Sequence, residues 1–440
     1  MFQLYDKTRR RFCIAGFLML GLLPSLTVAG WCVYRHTSSY LAAEVNQLSR
    51  QLGVSVKLSG LKHLRPGVVL YENVELADHE TGQPLLQCRL VEVQCTLQPD
   101  ERGVRHPVVS VVASQPQIHA ASIDRTWRWV QRVFETAPNW LNTEVELSAA
   151  EVTLKDAERS QTLTGVEALV ESLPQGTHAQ LQFRLVGADT PDPAQIRLVR
   201  NRQVSPPASG FELHTGGGEL PCSLLAMGVG ELRPLGNRSR FKGYIWANET
   251  TAGWEGEAAG QLVDVDLGGL VTNHFPHRMS GIGQITIQSA RFRQGRLEEG
   301  SGVIVAGPGT IDRSLVESAV DRLGLTAAEE PLNEERIAYD QLAMSATLDA
   351  QGLRLRGRCA GVDPGTILAR GSARLLGESP GAPQPMAALV RTLVPQSAVQ
   401  VPASRQSDWL LRHLPVPDVI APPGAKVIPP TARGLRVLQR

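Results

Sequence analysis

Between Phe12 and Tyr34 the chain carries no charged residue. As a helix at 1.5 Å per residue this stretch spans about 34 Å, enough for a hydrocarbon core of about 30 Å. Lys7, Arg9, Arg10 and Arg11 precede it, whereas Arg35 is the only charge between it and Glu44. The more basic flank stays in the cytoplasm, so the N-terminus is expected inside and the rest of the chain outside. Phe12, Leu18 and Leu22 face lipid in this reading, and Trp31 and Tyr34 sit at the outer interface. Pro24 interrupts the run and predicts a kink. The competing reading is a signal peptide cleaved near Ala29 or Gly30; its h-region would be long and its Thr27-Val28-Ala29 site mediocre. A lipoprotein site is excluded, because Trp31 rather than a small residue precedes Cys32. Both surviving readings export the remainder of the chain.

The expected plan is therefore a basic start (1–11), a transmembrane helix (12–34), an extracytoplasmic region (38–377, divisible at 155/156) and a Pro/Ala-rich tail (378–440). Aromatic residues make up 5% of the 440 residues, beside 41 Gly and 29 Pro. That balance favours many short strands over helical bundles. The fold class is mainly β (α+β): an elongated, curved antiparallel sheet with two or three helices. A net charge of +1 supplies no basic field for nucleic acid.

The periodicities place the elements. Leu41, Val45, Leu48 and Leu52 repeat at helical spacing over Ser38–Leu52, and Gly53 stops that helix. Val54 and Val56 open a strand through Leu58, and Pro66-Gly67 turns into the next. There Val68, Leu70, Val74 and Leu76 share a face, with Glu72 interrupting it. After the turn at Asp78–Gly82, Leu86, Cys88 and Leu90 alternate, and then Val91, Val93, Cys95 and Leu97. The phase slips by one at Leu90-Val91, and a β-bulge is the simple cause. Val145–Leu154 slips likewise at Ala149-Ala150. Further strands are expected at Leu181–Val186, Phe241–Trp246 and Gln284–Phe292, with a hairpin in Met344–Leu355 turning at Asp349–Gly352. Helices are expected over Ile123–Phe134 and from Thr310, its cap, to Gly324. From Glu378 the composition predicts disorder, with Trp409, Leu410, Leu411 and Leu414 as a short docking helix.

The segments YLAAEVNQLSRQLGVSVKLSGL and RPGVVLYENVELADHETGQPLLQCRLVEVQ, next to the anchor, resemble the start of AsmA-like envelope proteins. GIGQITIQSARFRQGRLEEGSGVIVAGPGTIDRSLVESAV resembles the glycine-punctuated strands and helix near their C-terminal part. The likeness covers about a third to a half of the chain. It implies a groove-like β-structure in the periplasm, tethered to the inner membrane, with a role in envelope biogenesis or lipid traffic. The chain is short for a bridge between two membranes.

Chemistry is sparsely signalled. No C-x-x-C, G-x-S-x-G or H-E-x-x-H motif occurs. Cys88, Cys95, Cys222 and Cys359 are either disulfide partners, in any of three pairings, or small buried hydrophobes. His274 and His277 with Asp264 and Asp266 are candidate metal ligands, but a proline inside His-x-x-His and Asp-x-Asp on a strand favour a solvated surface. Gly216–Gly218 and Gly307-Pro308-Gly309 lack the lysine of a phosphate loop and read as turns. No catalytic residue, metal or cofactor is called for. The expected function is non-enzymatic: an apolar sheet face made of Val68, Leu70, Val74, Leu76, Leu86, Cys88, Val91 and Val93 that forms a closed core or shields acyl chains. The rivals are a scaffold that grips other envelope proteins and, behind it, an anchored hydrolase.

Overall fold

The computed structural model describes residues 6–99, 105–119, 143–155, 160–186, 192–225, 238–328 (except 252, 274 and 295) and 334–394, with isolated residues 103, 125, 129, 130, 132, 134 and 235. The expected helix Ile123–Phe134 falls largely outside them, as do His274 and everything after Val394.

The chain opens with one continuous rod: α1 (Asp6–Phe17), a π-helical turn (Leu18–Leu22) and α2 (Leu23–Arg35). Pro24 has no N–H to give Leu20. The helix widens to i→i+5 bonding just before it, with Leu23 N–H reaching Leu18 O, which spreads the loss over a turn. Arg10–Arg35 is long and apolar enough to cross a bilayer, and none of it is buried against the rest of the protein. That is compatible with a single-pass anchor. Next comes α3 (Ser38–Leu52), capped by the Thr37 hydroxyl and ended by Gly53 at φ 66°.

Then the sheet begins: β1 (Ser55–Lys57), β2 (Gly60–Arg65), β3 (Val68–Ala77), β4 (Pro84–Pro99), β5 (Arg105–Ser114), β6 (Gln117–His119), β7 (Thr143–Lys155), β8 (Ser160–Leu173), β9 (Gly176–Leu185), β10 (Ala194–Asn201), β11 (Ala208–His214) and β12 (Leu220–Pro221). After the short α4 (Cys222–Leu225) come β13 (Arg240–Thr250), β14 (Gly253–Asp266), α5 (Leu267–Thr272), β15 (Ile282–Arg293), β16 (Arg296–Ala306), β17 (Gly309–Asp312), α6 (Arg313–Leu323), β18 (Thr326–Ala327), β19 (Arg336–Tyr339), β20 (Gln341–Asp349), β21 (Gly352–Gly357), β22 (Thr366–Arg370), β23 (Ala373–Gly377) and α7 (Met386–Leu393).

Nearly all strands join one sheet, most of them pairing with the next along the chain. The sheet is mixed rather than purely antiparallel: β5 and β6 pair with β7 in parallel. β17 and β19 form a separate pair. That pair displaces the start of α6, which begins at Arg313 with Asp312 at the N-cap and not at Thr310. Thr310 pairs with Ala338 instead. Leu315, Val316, Ala319 and Leu323 of α6 are buried in the largest core, and α7 packs there through Met386 and Ala388. The segment after Glu378, expected to be disordered, is thus ordered through Val394, because its apolar residues have α6 to bury against.

The phase slips of β4 and β7 have one shared origin. Asn73, Gln115 and Gly165 have φ of 49°, 52° and 56°. By register, Asn73 lies opposite Arg89, Arg89 opposite Gln115, Gln115 beside Glu151, and Ala150 opposite Gly165. A single irregular row therefore crosses β3 to β8. A left-handed residue flips the side chains beyond it. Because the neighbouring strands change phase in the same row, the β4 ladders run past Leu90-Val91 in unbroken register, where a lone bulge would have shifted them. The row ends at β8; the β8–β9 ladder shifts between Thr164 and Glu167.

Candidate functional site: the apolar face of the sheet

Cross-strand partners share a face, so the registers trace rows across the sheet. One row runs Val69, Val93, Val111, Leu147, Ala168 and Leu181, then Ile196, Leu213, Ile245, Ala258 and Ala290, and through Gly300 to Leu348 and Leu353. Every member is apolar. The row crosses fourteen strands, on the order of 60 Å at about 4.8 Å per step. A second row two residues away runs Cys95, Val109, Val145, Val170, Ala179 and Leu198, then Phe211, Ala247, Gly256, Phe292 and Leu297. It too lacks a polar side chain. The opposite face reads Glu146, Leu169, Gln180, Arg197, Glu212, Trp246, Glu257, Arg291 and Glu299, with ion pairs Arg197–Glu212 at 3.2 Å and Arg291–Glu299 at 3.1 Å.

The apolar face is covered at both ends and over part of its middle, where Leu213, 1% exposed, packs with Leu181, Ile196, Phe211 and Ile245 in a further core cluster. At β3 and β4, Leu48 and Leu52 of α3 pack with Val74, Leu76 and Leu86, joined by Trp129, whose ring N–H donates to Leu52 O at 2.8 Å. At β20 and β21, α6 and α7 close over Leu348, Leu353, Met344 and Leu355. Between them, Val93, Val109, Val111, Leu147, Ala168, Val170, Ala179 and Leu198 belong to none of the core clusters of described residues. Leu147 is 40% exposed and the others are half-buried.

The face expected from the sequence divides. Tyr71 donates to Glu44 of α3 at 2.9 Å, and Leu76 packs against the same helix. Both residues look one way although an odd number separates them, because Asn73 shifts the phase. Val74, Leu76, Leu86, Cys88, Val91 and Val93 therefore lie on the apolar face; Val68 and Leu70 lie on the other, where Val68 is nevertheless buried, at 2% exposed. Val69 and Tyr71 take their places as partners of Val93 and Val91. Glu72, which breaks a strict period of two, is the signal that locates the shift. Cys88 and Cys95 share the apolar face but form no disulfide: all six cysteines are free. Burial pushes the Cys88, Cys222 and Cys359 thiols above their ordinary range, which keeps them inert.

Phe12, Leu18, Leu22, Trp31 and Tyr34, the residues expected to face a membrane, are all exposed on the rod. At its exit Trp31, Tyr34 and Tyr40 stack edge to face, the Arg35 guanidinium lies 5.3 Å from the Trp31 ring centre, and the Tyr40 hydroxyl meets His63 Nε2 at 3.2 Å. Among the described residues no group of three or more His, Cys, Asp and Glu stands together as a metal site. His277 is instead buried between helices. Its Nε2–H donates to Thr392 O and the Ser314 hydroxyl to its Nδ1, both at 3.0 Å. No family model matches the chain, and no curated protein matches it.

Proposed function

We propose that the protein is a single-pass membrane protein of the cell envelope, its body held in the periplasm by the inner membrane, which handles lipid through the apolar face of its sheet. Kinship with AsmA-like proteins is part of this proposal. The observation that carries it is the pair of apolar rows running across the sheet between the helical covers. A closed core of this length would need a second layer along its middle, yet Leu147 stays exposed there. Acyl chains laid along the rows would gain roughly 25 cal/mol per Å² of apolar surface removed from water. The sheet curves around them as a groove, and the anchor keeps one end of it at the bilayer.

The test is site-specific photocrosslinking in membranes. A crosslinker at Leu147 is expected to capture phospholipid, and one at Glu146, one residue along and on the polar face, to capture none. Equal capture at both positions, or at neither, overturns the lipid reading.

A further inference from the structure

The polar face of the sheet pairs its charges: Arg197 with Glu212, Arg291 with Glu299 and Arg293 with Glu298. One corner breaks the pattern. On β21 and the residue beyond it, Arg354, Arg356 and Arg358 occupy alternate positions, all exposed, and none has an ion-pair partner among the described residues. Leu353 and Leu355 point to the apolar side, so the arginines stand on the face opposite the proposed lipid path. Successive guanidinium stems are about 6.6 Å apart. Arg354 opposes Thr347 and Arg356 opposes Ser345, and Thr347 in turn opposes Ser301. The three arginines, Ser345, Thr347 and Gln288 line a recess of about 250 Å³. Asp349, the one carboxylate among its described lining residues, accepts the backbone N–H groups of Gln351 and Gly352 on Oδ1.

We propose that this recess binds a compact anion bearing two or three phosphate groups. Guanidinium forks take phosphate oxygens in pairs, and the hydroxyls add neutral donors between them. With three guanidinium groups against one carboxylate the recess keeps a positive balance, which concentrates anions. An acidic peptide added as a further strand fits less well, because the outer edge of β21 is already used: Leu353 and Gln384 exchange both backbone hydrogen bonds, at 2.7 and 2.8 Å. The phosphates come from a soluble oligophosphate or from a lipid headgroup carrying two of them.

The full chain in detergent is titrated with inorganic tripolyphosphate, and in a second arm with phosphatidylcholine vesicles containing cardiolipin. Losing charged hydrogen bonds should weaken binding of the R354Q/R356Q/R358Q variant by about tenfold or more. R291Q/R293Q, on the same face, should bind as the wild type does. The single variant R356Q, at an exposed position, should give an intermediate loss and guards against misfolding of the triple variant. Binding of tripolyphosphate assigns a soluble ligand, and binding of the vesicles alone assigns a headgroup; either supports the site if the triple variant loses it. No binding of either probe, or equal binding by the triple variant, overturns it.

Discussion

At the scale of residues, two positions near α3 set how the first strands face. Asn73 is left-handed, and its side-chain N–H donates to Ser59 Oγ at 2.8 Å. Glycine adopts that backbone freely and asparagine tolerates it, whereas a β-branched residue is strained there. Asn73→Gly should leave thermal stability nearly unchanged, while Asn73→Val should cost about 1–3 kcal/mol in denaturant unfolding. Equal stability of the two variants would remove the structural role of the irregular row at β3. Tyr71 is the second. Burial, and then the Glu44 carboxylate beside it, push its phenol well above the ordinary tyrosine range. The unfolded chain therefore loses this proton first as pH rises, so the folded state binds more protons and stability falls. The contribution is complete below about pH 10 and declines as pH climbs above it. Tyr71→Phe should flatten that alkaline decline in a pH series of melting curves; an unaltered slope would contradict the assignment.

At the scale of elements, His277 is the strap between α6 and α7. A carbonyl can only accept, so the Thr392 contact fixes the proton on Nε2, and Nδ1 accepts from Ser314. His277→Leu leaves the buried Thr392 carbonyl without that partner, at about 1–3 kcal/mol, while the exposed Ser314 hydroxyl can turn to water. α7 should then detach more often, and proteases should cut residues 378–385 faster than in the wild type. Unchanged cleavage would mean that apolar packing alone holds α7. Much at this scale was legible in the chain. The stops at Gly53 and Gly324, the Asp349–Gly352 hairpin and the period-two strands stem from local chemistry. The phase slips were legible too, but not their alignment, which depends on which strands become neighbours. Counting by two through Asn73 assumes a regular backbone, so it cannot tell which of the apolar residues on either side of Asn73 share a face. α7 hid within a Pro- and Ala-rich composition, although Met386, Leu389, Val390 and Leu393 keep helical spacing. The parallel step at β7 arises from a 23-residue connection, residues 120–142, that carries no pairing signal of its own.

At the scale of the whole molecule, the proposed orientation is open to direct test. Alkaline phosphatase fused after Val394 should be active in intact cells, since it matures only outside the cytoplasm in an oxidising space. The same fusion with Lys7, Arg9, Arg10 and Arg11 changed to glutamine should lose activity, because the inward bias of the N-terminus is gone. A silent fusion on the wild-type chain would place the body in the cytosol and end the periplasmic proposal. Finally, most strands of the large sheet bond to the strand made just before them, and the chief departures are the long connection into β7, the excursion over residues 307–340 that separates β16 from its partner β20, and β18 returning to β23. Such local wiring keeps loop-closure entropy small at each addition. A polypeptide emerging end-first from a narrow exit can lay down this sheet hairpin by hairpin, each new strand templated by a finished edge, without waiting for its C-terminus to arrive.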